Sequence, residues 1–454
     1  MLRPTLLVAA LAVAFPAYAD ADLDALRAEI KQMKQDYEAR IQSLEAKLQG
    51  AERQVDNAVK PEAVAAPPAT STAAAFNPEI SLILQGAYSH QRDLPERGIT
   101  GFLPNGQPEG TTRGFSVDES ELVISANIDP NFRGYFTAVL NDGEIGVEEA
   151  WFQTLSLGHG LTLKGGRFRS GLGYQNEKHP HAWDFTTQNL MYQALFGEAY
   201  AQDGLQLKWV APSDLFTEVG AEVGRGASFP GSERNKNGIG SYTLFGHVGG
   251  DIGDSHSWRG GLAYLSTRAT ERSGTQSDFA GVPVNTLYTG DSKTWIANFM
   301  WKWAPLGNAS IQNFKFATEL FRRSEEGSLL CDDLDAANPS SCSGGVTGPY
   351  RSAQYGGYAQ GIYQFMPRWR AGYRYDRLFP NTREFGANDA NLPRPDYDPT
   401  RHSLMVDYSP SEFTRLRLQY SKDRAMQGQD ENSGSCTTST ASARTARTHF
   451  KEST

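Results

Sequence analysis

His179-Pro180-His181, followed three residues later by Asp184, places two imidazoles and a carboxylate within six positions. Such groups are suitable zinc ligands, since zinc takes nitrogen and oxygen donors in a four-ligand shell. A loop that simply packs Trp183 and Phe185 is the plainer expectation, because a proline between two histidines works against their converging on one ion. Cys331 and Cys342 enclose ten residues, among them Asp332, Asp333 and Asp335. In an exported chain this spacing reads as a disulfide pinning an external loop. Gly253-Asp254-Ser255-His256 has the letters of a nucleophile and a base, but it reads as a turn with no third member. No phosphate-cradling loop, dinucleotide fingerprint or Cys-based metal motif accompanies it. The expectation is a chain that is not an enzyme and needs no cofactor, zinc entering only as a transported or regulatory ion.

The elements that must position these residues begin with an export signal. Met1-Leu2-Arg3-Pro4, an apolar stretch from Leu6 to Phe15 and Ala17-Tyr18-Ala19 predict a signal peptide over 1–19. Residues 20–54 are charged and helix-forming. Their apolar positions, Leu23, Leu26, Ile30, Met33, Tyr37, Ile41, Leu44 and Leu48, recur at steps of three and four. A stripe that narrow suits a coiled-coil seam, and a homotrimer is the natural assembly to expect from it. Residues 55–75 are rich in Ala, Pro, Ser and Thr and read as a linker.

From Phe76 the period changes to two. Ile80, Leu82, Leu84, Gly86 and Tyr88 share one face, as do Leu122, Ile124, Ala126 and Ile128. Trp295, Ala297, Phe299, Trp301 and Trp303 repeat the pattern, with Asn298 and Lys302 opposite; so do Phe314, Phe316, Thr318 and Leu320, with Lys315 and Glu319 opposite. Alternation in runs of about ten residues is the mark of a transmembrane β-strand. Short turns near Pro130, Gly158, Pro212, Asp254, Pro305, Pro367 and Pro410 alternate with mostly longer polar loops, at 93–113, 172–200, 227–238, 271–291, 326–350 and 379–399. Aromatics crowd several of the short turns, as an interfacial girdle would. A net charge of −9 argues against a nucleic-acid partner, which usually needs a basic face.

The polar faces supply the expected pore lining: Arg259, Lys302, Lys315, Arg323, Arg370, Arg374, Arg415 and Arg417, with Glu119, Glu121, Glu218, Glu222, Glu319 and Asp376. At Gly165-Gly166 the register is ambiguous, so Arg167 and Arg169 are left open. Fifteen strands are visible between 79 and 423. Bacterial single-chain barrels have an even number, so a sixteenth is required, and residues 425–454 read as an aberrant or disordered tail without alternation.

Several motifs resemble a known family. Gly114-Phe115-Ser116 with Glu119-Ser120-Glu121-Leu122, Glu148-Glu149-Ala150, Gly165-Gly166-Arg167-Phe168 and His179-Pro180-His181-Ala182-Trp183-Asp184-Phe185 are similar to outer-membrane proteins labelled zinc-regulated TonB-dependent receptors. The barrel pattern also resembles phosphate-selective porins. The resemblance covers about 76–424 and departs after Asp430. In that family the last strand ends near a Gly-Ala-His repeat, whose codons read one base later spell the run Ala443 to Thr448, so a reading-frame shift near Glu431 to Ser433 is expected. What these readings imply together is an all-β outer-membrane barrel of about sixteen strands in a Gram-negative bacterium. Its expected role is a porin-type channel for small hydrophilic solutes or ions, in outer-membrane lipid. The alternative is a receptor for zinc or a metal complex, without its own TonB plug: residues 20–75 hold only the coil and linker.

Overall fold

The computed structural model describes residues 78–94, 97–102, 112–141, 143–232, 235–394 and 396–441. The expected signal peptide, coiled coil and linker lie outside the described residues, as does the run Ala443 to Thr448.

Among the described residues, sixteen strands follow one another along the chain. They are β1 (Glu79–His90), β2 (Gly114–Asn127), β3 (Phe132–Asn141), β4 (Glu144–Thr154), β5 (Leu161–Arg169) and β6 (Ala201–Val210). Next come β7 (Phe216–Gly224), β8 (Ser241–Ile252), β9 (His256–Ser277), β10 (Pro283–Trp303) and β11 (Asn313–Asp333). The last five are β12 (Val346–Met366), β13 (Trp369–Glu384), β14 (Thr400–Ser411), β15 (Thr414–Met426) and β16 (Gln429–Ala441). Each pairs antiparallel with its neighbours in sequence, and β1 pairs with β16 to close the ring. Closure leaves no strand edge unpaired, which an apolar surround demands because it offers no partner for free N–H and C=O groups.

Period-two patterning decides which way each residue faces. Along β10, Trp295 and Phe299 stand outside at 48% and 40% exposure, while Ile296 and Asn298 are buried within. Leu320 on β11 and Leu418 on β15 continue the outer belt. Aromatic pairs border it: Trp301 with Phe314 and Trp369 with Tyr408 at the short-turn end, and Tyr242, Tyr264 and Trp295 towards the other.

Two expectations are corrected. Residues 271–291 and much of 326–350 are strand rather than loop, because β9 to β12 continue well past the apolar belt. Their outer faces there are charged, with Arg268 on Asp291 and Arg351 on Glu326. Hydropathy alternation therefore stops while backbone pairing continues. The inner faces pack Val284, Tyr288, Leu329, Tyr350, Phe385 and Leu392 into a second apolar cluster, which also buries the Cys331–Cys342 disulfide.

The second correction concerns the tail. Residues 429–441 form β16, in register with β15 at Leu418 and Cys436 and with β1 at Tyr88 and Cys436. Paired residues share a face, so Asn432, Gly434, Cys436, Thr438 and Thr440 make up its outer row. That row has no large apolar member. Backbone pairing on both sides and the β propensity of threonine hold the strand, and neither shows as alternation.

Candidate functional site

The β5–β6 connection, residues 170–200, turns into the barrel and packs across its waist. Phe185, Leu190, Met191, Tyr192 and Leu195 are each no more than 1% exposed, so the loop lies among lumenal side chains and not on the outer surface. Asn176 pins its neck, donating from Nδ2 to the carbonyls of Ser170 (2.7 Å) and Tyr200 (2.9 Å) and accepting the Tyr200 N–H. A short helix, α1 (Leu190–Phe196), is capped by Asn189, whose Oδ1 accepts the N–H of Tyr192.

The lumenal wall meets this loop with two opposite chemistries. On one arc, β2 to β7 carry Glu119, Glu121, Glu148, Glu149, Glu218 and Glu222, against Lys164, Arg169 and Lys208. On the other, β11 to β15 carry Lys315, Arg370, Arg374, Arg401, Arg415 and Arg417, against Asp376, Asp407 and Asp423. In a ring of sixteen consecutive strands those arcs stand face to face.

Six loop residues span the two. At the acidic arc His181 Nδ1 lies 2.7 Å from Glu121 Oε1. His179 Nδ1 lies 2.7 Å from Glu148 Oε2 and 3.6 Å from Glu121 Oε2, and its Nε2 lies 3.0 Å from Glu149 Oε2. Arg169 also contacts Glu148, and its Nη1 donates to the Lys178 carbonyl at 2.6 Å. Burial, the largest influence on His179, and Arg169 both oppose its charge. Glu121 and Glu149 outweigh them and hold the imidazole pKa up at about 10.

A turn over Pro180–Ala182 then carries the chain across. Asp184 arrives at the basic arc, 2.8 Å from Lys315 Nζ and 3.7 Å from Arg370 Nη1, and it accepts from Gln360 at 3.0 Å. Burial works against its ionisation, but Lys315 and Arg370 hold it well below the usual carboxylate range. The expected grouping of His179, His181 and Asp184 on one ion is therefore corrected. The two imidazoles stay together, with ring centroids 5.9 Å apart, while Asp184 is committed to the far wall. Glu121, Glu148 and His179 instead bring one ligand atom each within 4.8 Å of one another.

Elsewhere the loop is held by its backbone. Arg415 and Arg417 donate to the Trp183 carbonyl at 3.1 and 2.6 Å, Arg374 to that of Thr187 at 2.9 Å, and Arg401 to that of Gln188. Glu319 accepts the N–H groups of Tyr174 and Gln175 together with the hydroxyls of Tyr192 and Tyr358. Glu222 accepts from Ser170 and the N–H of Gly171.

Of the expected lining residues, Glu121, Lys315, Arg374, Arg415 and Arg417 are buried at the loop. Arg370 pairs with Asp407 at 2.5 Å and Arg259 with Glu177 of the loop at 3.2 Å. Glu119 is set among the same charges as Arg169, Glu121 and His179. Lys302 lines a recess at the short-turn end with Asp251 and Ser257. Arg167 is exposed and paired with Asp203, whereas Arg169 is buried, which resolves the ambiguity at Gly165-Gly166.

Glu148, Glu149, Arg401 and Asp407 were not anticipated as site residues. Arg401 and Asp407 were readable by parity, because they alternate with His402, Leu404 and Val406 on β14. Glu148 was not. Thr137 faces Glu149 and Ala138 faces Val147, so Glu148 is the extra residue of a β-bulge. That bulge lets two adjacent glutamates both face the loop, which a regular strand forbids.

No protein-family profile matches the chain. An uncharacterized protein of Aquifex aeolicus (strain VF5) is 29% identical over 382 residues, spanning 79% of this chain and 76% of its own. Among solved structures, a loop-deletion form of OmpT, an outer-membrane protein of Vibrio cholerae, superposes with a TM-score of 0.50 at 12% identity, covering 81% of this chain and 99% of that one. The outer-membrane channel DcaP of Acinetobacter baumannii gives 0.50 at 12%, covering 83% and 100%. The fold is that of the outer-membrane porin barrels.

Proposed function

From that fold we propose that this chain is a porin-type channel of a Gram-negative outer membrane, passing small hydrophilic ions past a loop-built constriction. Facing acidic and basic arcs joined by one inward loop carry the reading. Charges so arranged set a field across the lumen that orders water and polar solutes, whereas a structural plug needs only complementary shape. On the basic arc five arginines and one lysine outnumber Asp184, Asp376, Asp407 and Asp423, and on the facing arc six glutamates outnumber Lys164, Arg169 and Lys208, so a passing ion meets both signs. Assembly as a homotrimer is part of this proposal, and so is the export signal.

The loop fills the waist, and so the conducting steps are small and grow when the loop is loosened. Single-channel recording of the purified chain in a planar bilayer, in KCl, tests this. Stable steps support the channel, and their reversal potential reads its selectivity. A bilayer that stays silent for protein shown to be folded and inserted rejects it. A second reading, a receptor for zinc or a metal complex, draws on the His179 cluster alone and predicts silence until metal is supplied.

A further inference from the structure

We infer that the acidic corner beneath the loop is a binding site for a divalent transition-metal ion, with His179, Glu121 and Glu148 as its protein ligands. Three features of the geometry point there.

The first is spacing. Ligands at about 2.0–2.2 Å from a tetrahedral ion stand roughly 3.3–3.5 Å from one another. The His179 Nδ1 contacts, at 2.7 Å to Glu148 and 3.6 Å to Glu121, bracket that separation. One ligand atom from each of the three residues lies within 4.8 Å of the other two.

The second is alignment. His179 Nδ1 and Glu148 Oε2 approach closely, yet neither makes a well-directed hydrogen bond, and the His179 side chain is only 7% exposed. A buried nitrogen and oxygen that crowd without sharing a proton along the N–H direction are aimed at common space. An ion there would satisfy both, taking the place of the Nδ1 proton, which its binding releases.

The third is the outer shell. Ligating histidines almost always give their other ring nitrogen to a carboxylate or carbonyl. Glu149 occupies that place on Nε2 and is itself held by the Trp151 indole N–H (3.2 Å) and the Arg169 backbone N–H (3.1 Å). His181 holds the remaining oxygen of Glu121. Imidazole with two carboxylates suits zinc and its first-row neighbours rather than soft copper(I), and three protein ligands leave one position for water. Such a site would tie the loop to β2 and β4 through the ion.

This inference stands apart from the channel reading, because ion uptake is measured without conductance. The test is calorimetric titration of the full chain in detergent with zinc chloride, folding being checked by heat-modifiable gel mobility. One zinc per chain is expected. His179→Ala and Glu148→Gln should each weaken binding at least tenfold, and Glu149→Gln roughly 10- to 100-fold through loss of orientation. His402→Ala, at an exposed histidine on β14, should leave it unchanged. If His179→Ala does not fold, the near-isosteric Glu148→Gln reads the same site. A folded wild-type barrel that takes up no zinc, or uptake that survives the ligand substitutions, overturns the assignment.

Discussion

The two ends of the inward loop are held by unlike means. At the acidic arc glutamates dominate the wall, and the loop meets them largely with side chains: His179 on Glu149 and His181 on Glu121. At the basic arc arginines dominate the wall, and the loop answers mostly with backbone carbonyls at Trp183, Thr187 and Gln188. Every residue type has a carbonyl, whereas few have an imidazole. Substitutions within the loop should therefore break the acidic end and spare much of the basic end, which only changes in the wall can break.

The largest effect expected is from the wall. Asp407 is 1% exposed and neutralises Arg370 and Arg415, so Asp407→Ala leaves guanidinium groups buried without their carboxylate. The expected cost is about 3–5 kcal/mol, to be read from urea unfolding in lipid vesicles by tryptophan fluorescence. A loss below about 1 kcal/mol would mean the basic arc does not depend on its aspartates.

On the loop side, His181→Ala leaves Glu121 short of a partner. It should cost about 1–3 kcal/mol and raise single-channel conductance as that end of the loop loosens. Unchanged conductance would place the constriction elsewhere.

Asp184 is the one loop side chain that anchors the basic end by charge, and its pH dependence follows from the sign of its shift. Its folded value is depressed, so its contribution is complete above the ordinary aspartate range, near about 3.9, and fades as pH falls through the lower folded value. Asp184→Asn should therefore destabilise the wild-type loop at pH 6 and make less difference in strong acid. Unfolding compared at the two pH values checks this.

The smallest effect is at β16. Thr186 shares a hydrogen bond with Ser435 at 2.6 Å, while its backbone N–H keeps the Gln419 oxygen. Thr186→Val should cost about 0.5–1.5 kcal/mol and leave ion selectivity alone. A larger loss would show that the loop rests on β16 more heavily than its backbone contacts imply.

Much of the barrel was legible along the chain because one face of each strand is greasy. Trp295, Phe299, Leu320 and Leu418 fall outside where the period-two reading puts them. The pattern failed where the surround stops being apolar, at the upper halves of β9 to β12, and where it should be apolar but is not, at β16. Lumenal charges such as Lys315 and Arg415 were found by parity alone. At the site, the fold keeps the rings of His179 and His181 5.9 Å apart, while Asp184, grouped with them by nearness in sequence, lies on the far wall.

Composition and alternation by themselves determined the strand-built architecture, the inside and outside of each regular strand, and the pairing of Cys331 with Cys342. These are local properties: a side chain's face follows from its position in the pleat, and a short span between cysteines needs no distant partner. Only the tertiary structure decided which charges meet. Asp184 lies 131 residues from Lys315, and His181 lies 60 from Glu121. Their approach depends on ring closure, on the inward course of one loop and on the bulge at Glu148. A single added residue in a strand reverses the face of all that follow, and nothing in residue type announces where that addition falls.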